Sequence, residues 1–172
     1  STVKGIDICY YKMTYDLWID ENDLFQKVNA DKSLVLIVNY FGFRDNKAFS
    51  IIEKLKERNV YVMEDNAHGF FTWHEHKELD SDIVIFSLHK MFPFEDGGSL
   101  IIRNPLLIEL PLTGKTFPEI NKNPYDYRVH EIAEKRKENY AALQKALLFA
   151  ENNGFVESIR SLEYLNDNVP QT

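Results

Sequence analysis

The residues that decide the fold are VYVMEDNAHGF at positions 60–70 and DIVIFSLHKMFPFEDGGSLII at positions 82–102. Each stretch contains a short apolar run of strand length, Val60–Met63 in the first and Ile83–Phe86 in the second. A third apolar run, Leu100–Ile102, follows a loop that contains Pro93 and a pair of glycines. Because a parallel return takes roughly a dozen or more residues and usually a helix, we predict that Leu100–Ile102 runs antiparallel to its neighbour.

Two further apolar runs upstream predict strands at Ile6–Tyr11 and Leu34–Tyr40. The second run is continuous, which is typical of a strand that is covered on both faces. Helical patterns follow each run, and Asp20 and Asp45 are suited to cap these two helices. The side chains that the two helices are expected to bury are Leu24, Phe25, Val28, Phe49, Ile52 and Leu55. Strands that alternate with helices predict an α/β fold with three layers and a mainly parallel sheet that includes one antiparallel strand.

One long helix dominates the second half of the chain. Prolines and a glycine between 105 and 124 predict a loop region, with a short helix at Leu106–Leu110. Apolar residues at three- and four-residue intervals then predict a helix over Asp126–Asn152. Gly154 is suited to the position just beyond the end of that helix.

Composition and charge exclude several classes of function. The 20 basic and 27 acidic side chains among 172 residues give a net charge of −7, with no cluster of lysine and arginine. Nucleic-acid binding needs a concentrated basic surface, so we expect no nucleic-acid partner. The longest aliphatic run, Leu34–Val38, is far shorter than the roughly 18 residues of a membrane span, so we expect no membrane association. A lone cysteine, Cys9, excludes an internal disulfide and favours a cytoplasmic location.

Polar residues directly after the strands are the candidates for a functional site, because ligands of an open α/β sheet gather beyond the carboxyl ends of its strands. Three stretches qualify: Asn39–Gly42, Glu64–His68 and Ser87–Lys90. Taken singly, Asp65 is typical of a turn, His68 of a half-buried loop and Lys90 of a solvated surface. Together, Asp65, His68 and Lys90, followed by glycines at 97 and 98, form a combined pattern that favours a functional site more strongly than any one of them does alone.

This combined pattern resembles the fold-type I pyridoxal phosphate enzymes, and among them the DegT/StrS family of sugar aminotransferases. The stretches at 60–70 and 82–102 are similar to the family's strand-Glu-Asp-x-Ala-His segment and to its Schiff-base lysine loop. VLIVNYFGF at 35–43 is similar to a family strand that ends in an aromatic-Gly pair, and EKRKENYAALQKAL at 134–147 to a family helix. The resemblance covers roughly Gly5–Pro170 and is specific between 65 and 98.

The resemblance implies pyridoxal 5′-phosphate as cofactor and assigns a role to each candidate residue. Lys90 is the lysine that binds the cofactor aldehyde covalently and then moves protons as general acid and base. Asp65 keeps the nitrogen of the cofactor ring protonated, and His68 faces the ring hydroxyl. Ser87 and His89 contribute to the phosphate site. No metal is implied.

The resemblance also implies substrates and assembly. The donor is an amino acid such as glutamate, and the acceptor is a keto sugar attached to a nucleotide, as used in polysaccharide or antibiotic sugar biosynthesis. Active sites of this fold are completed by a neighbouring subunit, so we expect a homodimer. One departure concerns the lysine loop, where His89 and Lys90 are adjacent although the family commonly places two residues between them. This arrangement also resembles the class V branch of the fold, which includes desulfurases.

Length predicts that the chain is the central part of a larger protein. Enzymes of this fold are considerably longer, and we find no N-terminal Gly-Thr phosphate loop in the sequence. We therefore expect residues 1–154 to be the central part of a large domain. Residues 155–172 are expected to be a connector toward a small C-terminal domain.

Two alternatives remain open at this stage. A metal-dependent enzyme is suggested by His68, His74 and His76, because imidazoles two residues apart can bind zinc, although Thr72–Lys77 is typical of an exposed turn. A fold-type I domain that has lost activity and serves dimerisation or ligand sensing is the second alternative. It differs from the enzyme in one observable property, turnover.

Overall fold

A computed structural model of the chain describes residues 5–29, 33–75, 81–108, 123–158 and 161–171. Four strands form one sheet in the order β1-β2-β3-β4, and they are β1 (Leu34–Val38), β2 (Tyr61–Asp65), β3 (Ile83–Ser87) and β4 (Gly98–Ile102). β1, β2 and β3 are mutually parallel, whereas β4 pairs antiparallel with β3. The predicted α/β class, with a mainly parallel sheet and one antiparallel strand, is confirmed.

Six α-helices accompany the sheet in the described ranges: α1 (Glu21–Lys27), α2 (Ala48–Glu57), α3 (Phe70–Glu75), α4 (Leu88–Met91), α5 (Pro105–Ile108) and α6 (Val129–Asn152). Short 3-10 helices lie at Tyr40–Gly42, Pro124–Asp126 and Leu162–Asn166. Asp20 caps α1 as predicted, because its carboxylate accepts the Asp23 amide at 3.1 Å. None of the helices in these ranges is both long enough and apolar enough to cross a bilayer.

The register of the sheet places two apolar cores on the same face. Val35 lies beside Val62, and Glu64 lies between Ile37 and Val84. One core joins β1 and β2 to α1 and α2 through Leu24, Ile51, Ile52 and Leu55. The other joins β3 to α3 and to the start of α6 through Phe70, Phe71, Phe86, Val129 and Ala133. Glu64 therefore stands at the boundary between the two cores.

The opposite face of the sheet is apolar but partly exposed. Leu34, Leu36, Tyr61 and Leu100 are between 36% and 52% exposed. This pattern differs from the expectation that Leu34–Tyr40 is covered on both faces. The third layer of the predicted architecture thus does not cover these side chains in the described part of the chain.

Three local predictions were wrong. The predicted strand at Ile6–Tyr11 belongs to no strand, and the Tyr11 hydroxyl, not the main chain, donates to the Leu36 carbonyl on the edge of the sheet. α2 begins three residues after Asp45, and its buried face consists of positions 48, 51, 52 and 55. Phe49 lies about 100° around the helix from the centre of that face and is 50% exposed, although it was expected to be buried. The predicted exposed turn at Thr72–Lys77 is helical in its described part, with Thr72 and Trp73 buried in α3.

Glu64 is a fully buried carboxylate, at 0% exposure, and it is bound from three sides. The Ser81 hydroxyl donates to Oε1 at 2.6 Å, and the Asn39 side-chain amide donates to Oε2 at 3.1 Å. The Arg44 guanidinium lies 3.8 Å from Oε2, and burial lowers the pKa of Arg44 while the charge of Glu64 opposes that shift. A buried charge is tolerated only when it is paired and hydrogen-bonded, so these partners are a condition of the fold.

We expect Glu64→Ala to lower the free energy of unfolding by about 3–5 kcal/mol, because the Arg44 charge would stay buried without its carboxylate. Glu64→Gln keeps an acceptor for Ser81 and should cost less. Urea denaturation of the three proteins measures the difference. A loss under about 1 kcal/mol for Glu64→Ala would show that the carboxylate is dispensable.

The segment 168–171 packs back onto the domain beside Gly42. The Thr72 hydroxyl donates to the Gly42 carbonyl at 2.5 Å and accepts the Val169 amide at 2.7 Å. Gly42 has a φ of +85°, and a Cβ added there would collide with the Val169 carbonyl oxygen. Both the backbone conformation and the close approach therefore require glycine at this position.

Gly42→Ala and Gly154→Ala form a matched pair, because Gly154 also has a positive φ, +72°, but has no atom within 4 Å of an added Cβ. The backbone conformation alone should cost each variant about 1–2 kcal/mol. Gly42→Ala should lose about 1–3 kcal/mol more, since the Val169 segment must move. Equal losses in urea denaturation would contradict the close packing of segment 168–171 against Gly42.

Candidate functional site

The candidate site lies where the parallel strands end. Asp65 is the last residue of β2 and is paired in register with Val38 on β1 and Ile85 on β3. Ser87 is the last residue of β3, and α4 begins immediately after it. The carboxyl ends of three strands thus bring the polar residues that follow them to one edge of the sheet, as the sequence predicts.

His68 and Lys90 are in direct contact at this edge. Lys90 Nζ lies 3.3 Å from His68 Nε2. The two residues are 22 positions apart, and they meet because β2 and β3 are neighbours whose following segments leave the sheet at the same edge. The Lys90 side chain is exposed, so its amine is accessible from solvent.

Asp65 forms the turn that places His68. Its Oδ1 accepts the Ala67 amide at 2.8 Å, an arrangement that reverses the chain directly after a strand. The residue itself is half-buried. The predicted Asp65, His68 and Lys90 group is therefore assembled at one place.

The charges of Lys90 and Asp65 both act on His68. Burial lowers the pKa of His68 below its usual 6.5, the nearby Lys90 ammonium lowers it further, and the Asp65 carboxylate opposes both effects. The imidazole is consequently neutral at pH 7. In this state Nε2 is suited to accept a hydrogen bond from the Lys90 ammonium.

Phe41 completes this group, although no role for it was predicted. Its ring stacks on His68, with centroids 5.9 Å apart and an angle of 25° between the planes. The residue has a φ of +56°, which is uncommon for a bulky side chain, and its carbonyl accepts the Gln171 amide at 2.8 Å. The signal in the sequence is the aromatic-Gly pair at the end of a strand, Phe41 and Gly42.

Ser87 and His89 form a second group beside the glycine loop. Ser87 Oγ lies 3.2 Å from His89 Nδ1, which in turn lies 3.3 Å from the Gly97 carbonyl oxygen. Gly97 has a φ of +111°, and a Cβ on Gly98 would approach the Phe86 carbonyl oxygen to 2.7 Å. The two glycines thus allow the loop to return closely along β3, which positions His89.

Two asparagines behind the site, Asn39 and Asn66, lie in the stretches that the sequence analysis selected, although it assigned neither of them a role. The Asn39 side chain, which binds Glu64, also donates to Asn66 Oδ1 at 2.8 Å. Its main-chain amide donates to the Asp65 carbonyl at 3.0 Å. The signal in the sequence is their position, because each directly follows an apolar strand.

The histidines of the predicted metal alternative are not gathered in the described residues. His76 lies outside those residues, His68 contacts Lys90, and the His74 ring stacks on Phe70 with centroids 6.1 Å apart. In the part of the chain that the structure describes, the one group of three side chains close enough to share a metal consists of Glu75, His130 and Glu134.

Comparison with known proteins gives no family for this chain. No protein-family model matches it, and no curated protein matches it. The crystal structure of an aminotransferase, TlmJ from Streptoalloteichus hindustanus, is 24% identical, with a TM-score of 0.42 over 55% of this chain and 26% of that chain. DndA from Streptomyces lividans is 18% identical, with a TM-score of 0.43 over 52% of this chain and 26% of that chain. The chain therefore spans about a quarter of the length of each of these two proteins.

We expect Lys90→Met to raise the pKa of His68, because it removes the ammonium that disfavours the imidazolium. Asp65→Asn should lower that pKa further, since it removes the charge that favours the imidazolium. Titration of the histidine ring signals by NMR measures both shifts, with the exposed His130 as an internal control that should not move. A His68 pKa that is the same in all three proteins would contradict this arrangement of charges.

Proposed function

We propose that the protein is a pyridoxal phosphate-dependent aminotransferase that transfers an amino group from an amino acid to a keto sugar attached to a nucleotide. The observation that carries the proposal is the contact of 3.3 Å between Lys90 Nζ and His68 Nε2 at the carboxyl ends of the strands. Asp65 lies close enough to His68 to influence its ionisation. The sugar acceptor is supported by the resemblance of the sequence to the DegT/StrS family.

The residues at the sheet edge are suited to hold such a cofactor. Lys90 offers an exposed amine for covalent attachment, and Asp65 offers a half-buried carboxylate for the ring nitrogen. Ser87 and His89 offer a hydroxyl and an imidazole beside the glycine loop for the phosphate group. When bound, the cofactor supplies an electron sink for the bonds that are broken at the substrate carbon.

The chain's own residues orient the Lys90 amine and supply a group for proton transfer. Neutral His68 accepts a hydrogen bond from the Lys90 ammonium and holds the amine at the edge of the sheet. The Phe41 ring stacks on the His68 ring and thereby helps to orient the imidazole. The Lys90 amine would also serve as the general acid and base that removes and returns a proton during the transfer.

Assembly and location are parts of the same proposal. A homodimer with Asp65 and Lys90 near the subunit interface follows from the resemblance to fold-type I enzymes. A cytoplasmic location is supported by the single cysteine, Cys9, which is free and exposed. No nucleic acid is expected as a partner, since the net charge is −7.

Reduction with borohydride after incubation with pyridoxal phosphate tests the assignment of Lys90 in the full-length protein. We expect the reduced cofactor on the peptide that contains Lys90, and at least about a tenfold loss of labelling in Lys90→Ala. Lys145→Ala is the matched control, because Lys145 is an exposed lysine on α6. Labelling spread evenly over many lysines would overturn the proposal.

Turnover separates the enzyme from an inactive domain of the same fold. Asp65→Asn should keep the covalent label on Lys90 and lose at least about a hundredfold in amino transfer, because the ring nitrogen loses its charged partner. Amino transfer is measured with glutamate and a nucleotide-linked keto sugar. Labelling without turnover in the unmodified protein would favour the sensing or dimerisation alternative.

A further inference from the structure

A cavity of about 350 Å³ lies beside Phe41, between the turn after β1 and the second half of α6. This volume is in the range of small-molecule binding sites, roughly 300–1,000 Å³. Phe41 connects the cavity to the candidate site at the sheet edge, because it lines the cavity and its ring stacks on His68. The aminotransferase function proposed for the sheet edge makes no use of the cavity.

Aromatic rings form one wall of the cavity. Tyr40, Phe41, Phe43 and Tyr140 all line it. The Phe43 and Tyr140 rings meet edge to face with centroids 5.5 Å apart, and the Tyr40 and Phe41 centroids are 6.5 Å apart. Gln144 fixes the Tyr140 hydroxyl, to which its side-chain amide donates at 2.9 Å. Four aromatic side chains therefore line this part of the cavity, and their rings contact one another in pairs.

Two acidic residues line the cavity, and we call their side chains the rim carboxylates. Glu151 and Glu157 line the cavity, and no lysine, arginine or histidine is among the described residues that do so. Glu151 Oε1 accepts the Ser158 amide at 3.3 Å, which ties the end of α6 to the segment that follows it. The Tyr15 hydroxyl donates to Glu157 Oε2 at 3.4 Å. The cavity thus combines an aromatic wall with two acidic side chains, and no basic side chain is among the described residues that line it.

We propose that this cavity binds an organic cation with an apolar body, of the alkylammonium or arylalkylammonium class. Aromatic faces attract cations through their negative quadrupole, and the two rim carboxylates add charge complementarity. Leu143 and Leu147, exposed on α6, supply apolar surface for the body of the ligand. An anion of the same shape is excluded by the two carboxylates. The site is independent of the cofactor assignment.

Three probes with one shared body test the charge selectivity. They are 4-phenylbutyltrimethylammonium, 4-phenylbutanol and 5-phenylpentanoate, and binding of each is measured by titration calorimetry. We expect the cation to bind about tenfold more tightly than the alcohol, and the anion to show no binding. The quaternary nitrogen has no proton to lose and cannot condense with an aldehyde, so failure here is distinct from failure of the Lys90 assignment. Absence of cation binding, or equal affinity for the alcohol, would overturn the proposal.

Variants locate the site. The double variant Glu151→Gln with Glu157→Gln should weaken binding of the cation at least about fivefold and leave binding of the alcohol unchanged. Tyr140→Leu should weaken binding of the cation while keeping the wall apolar. The matched control is Glu138→Gln with Glu163→Gln, which removes the same charge from exposed positions outside the cavity. Equal weakening in the rim and control variants would show that net charge, not this cavity, attracts the probe.

Discussion

The buried carboxylate of Glu64 is the constraint on which the rest of the structure depends. It stands on the covered face of the sheet between two apolar cores, where an unpaired charge would be prohibitively costly. Its partners come from two separate segments: Asn39 and Arg44 from the connection between β1 and α2, and Ser81 from the connection before β3. The need to pair and hydrogen-bond the Glu64 carboxylate therefore fixes how these connecting segments pack against β2.

This constraint also positions the candidate site at the edge of the sheet. Successive side chains of a strand point to opposite faces, so burial of Glu64 directs Asp65 to the other face. Asn39 links the two positions, because it binds the Glu64 side chain and the Asp65 carbonyl. The turn at Asp65 then places His68 in contact with Lys90. The buried pair of Glu64 and Arg44 thereby supports the position of His68. The pKa of His68 in turn responds to the charges of Lys90 and Asp65.

The candidate site at the sheet edge and the cavity are separate places that both include Phe41. On one side, the His68 imidazole contacts the exposed amine of Lys90. On the other, aromatic rings and carboxylates surround an apolar cavity. Phe41 is held in an uncommon backbone conformation through its carbonyl contact with Gln171. Segment 168–171 thus contributes to the site although it is remote in sequence.

Local pattern in the sequence was sufficient for the cap of α1 and the end of α6, because each depends on neighbours within a few residues. The approximate positions of β2, β3 and the antiparallel β4 could also be predicted, because apolar runs mark the strands and the short connection before β4 disfavours a parallel return. The gathering of Asp65, His68 and Lys90 could also be predicted, since neighbouring parallel strands bring their succeeding loops to one edge of the sheet. The failure at Ile6–Tyr11 arose because strand propensity does not show whether an edge accepts a partner. The exposure of Phe49 depended on where α2 begins. The burial of Glu64 and the stacking of Phe41 on His68 were decided only by tertiary structure, because a charge or a ring acquires its environment from segments distant in the chain.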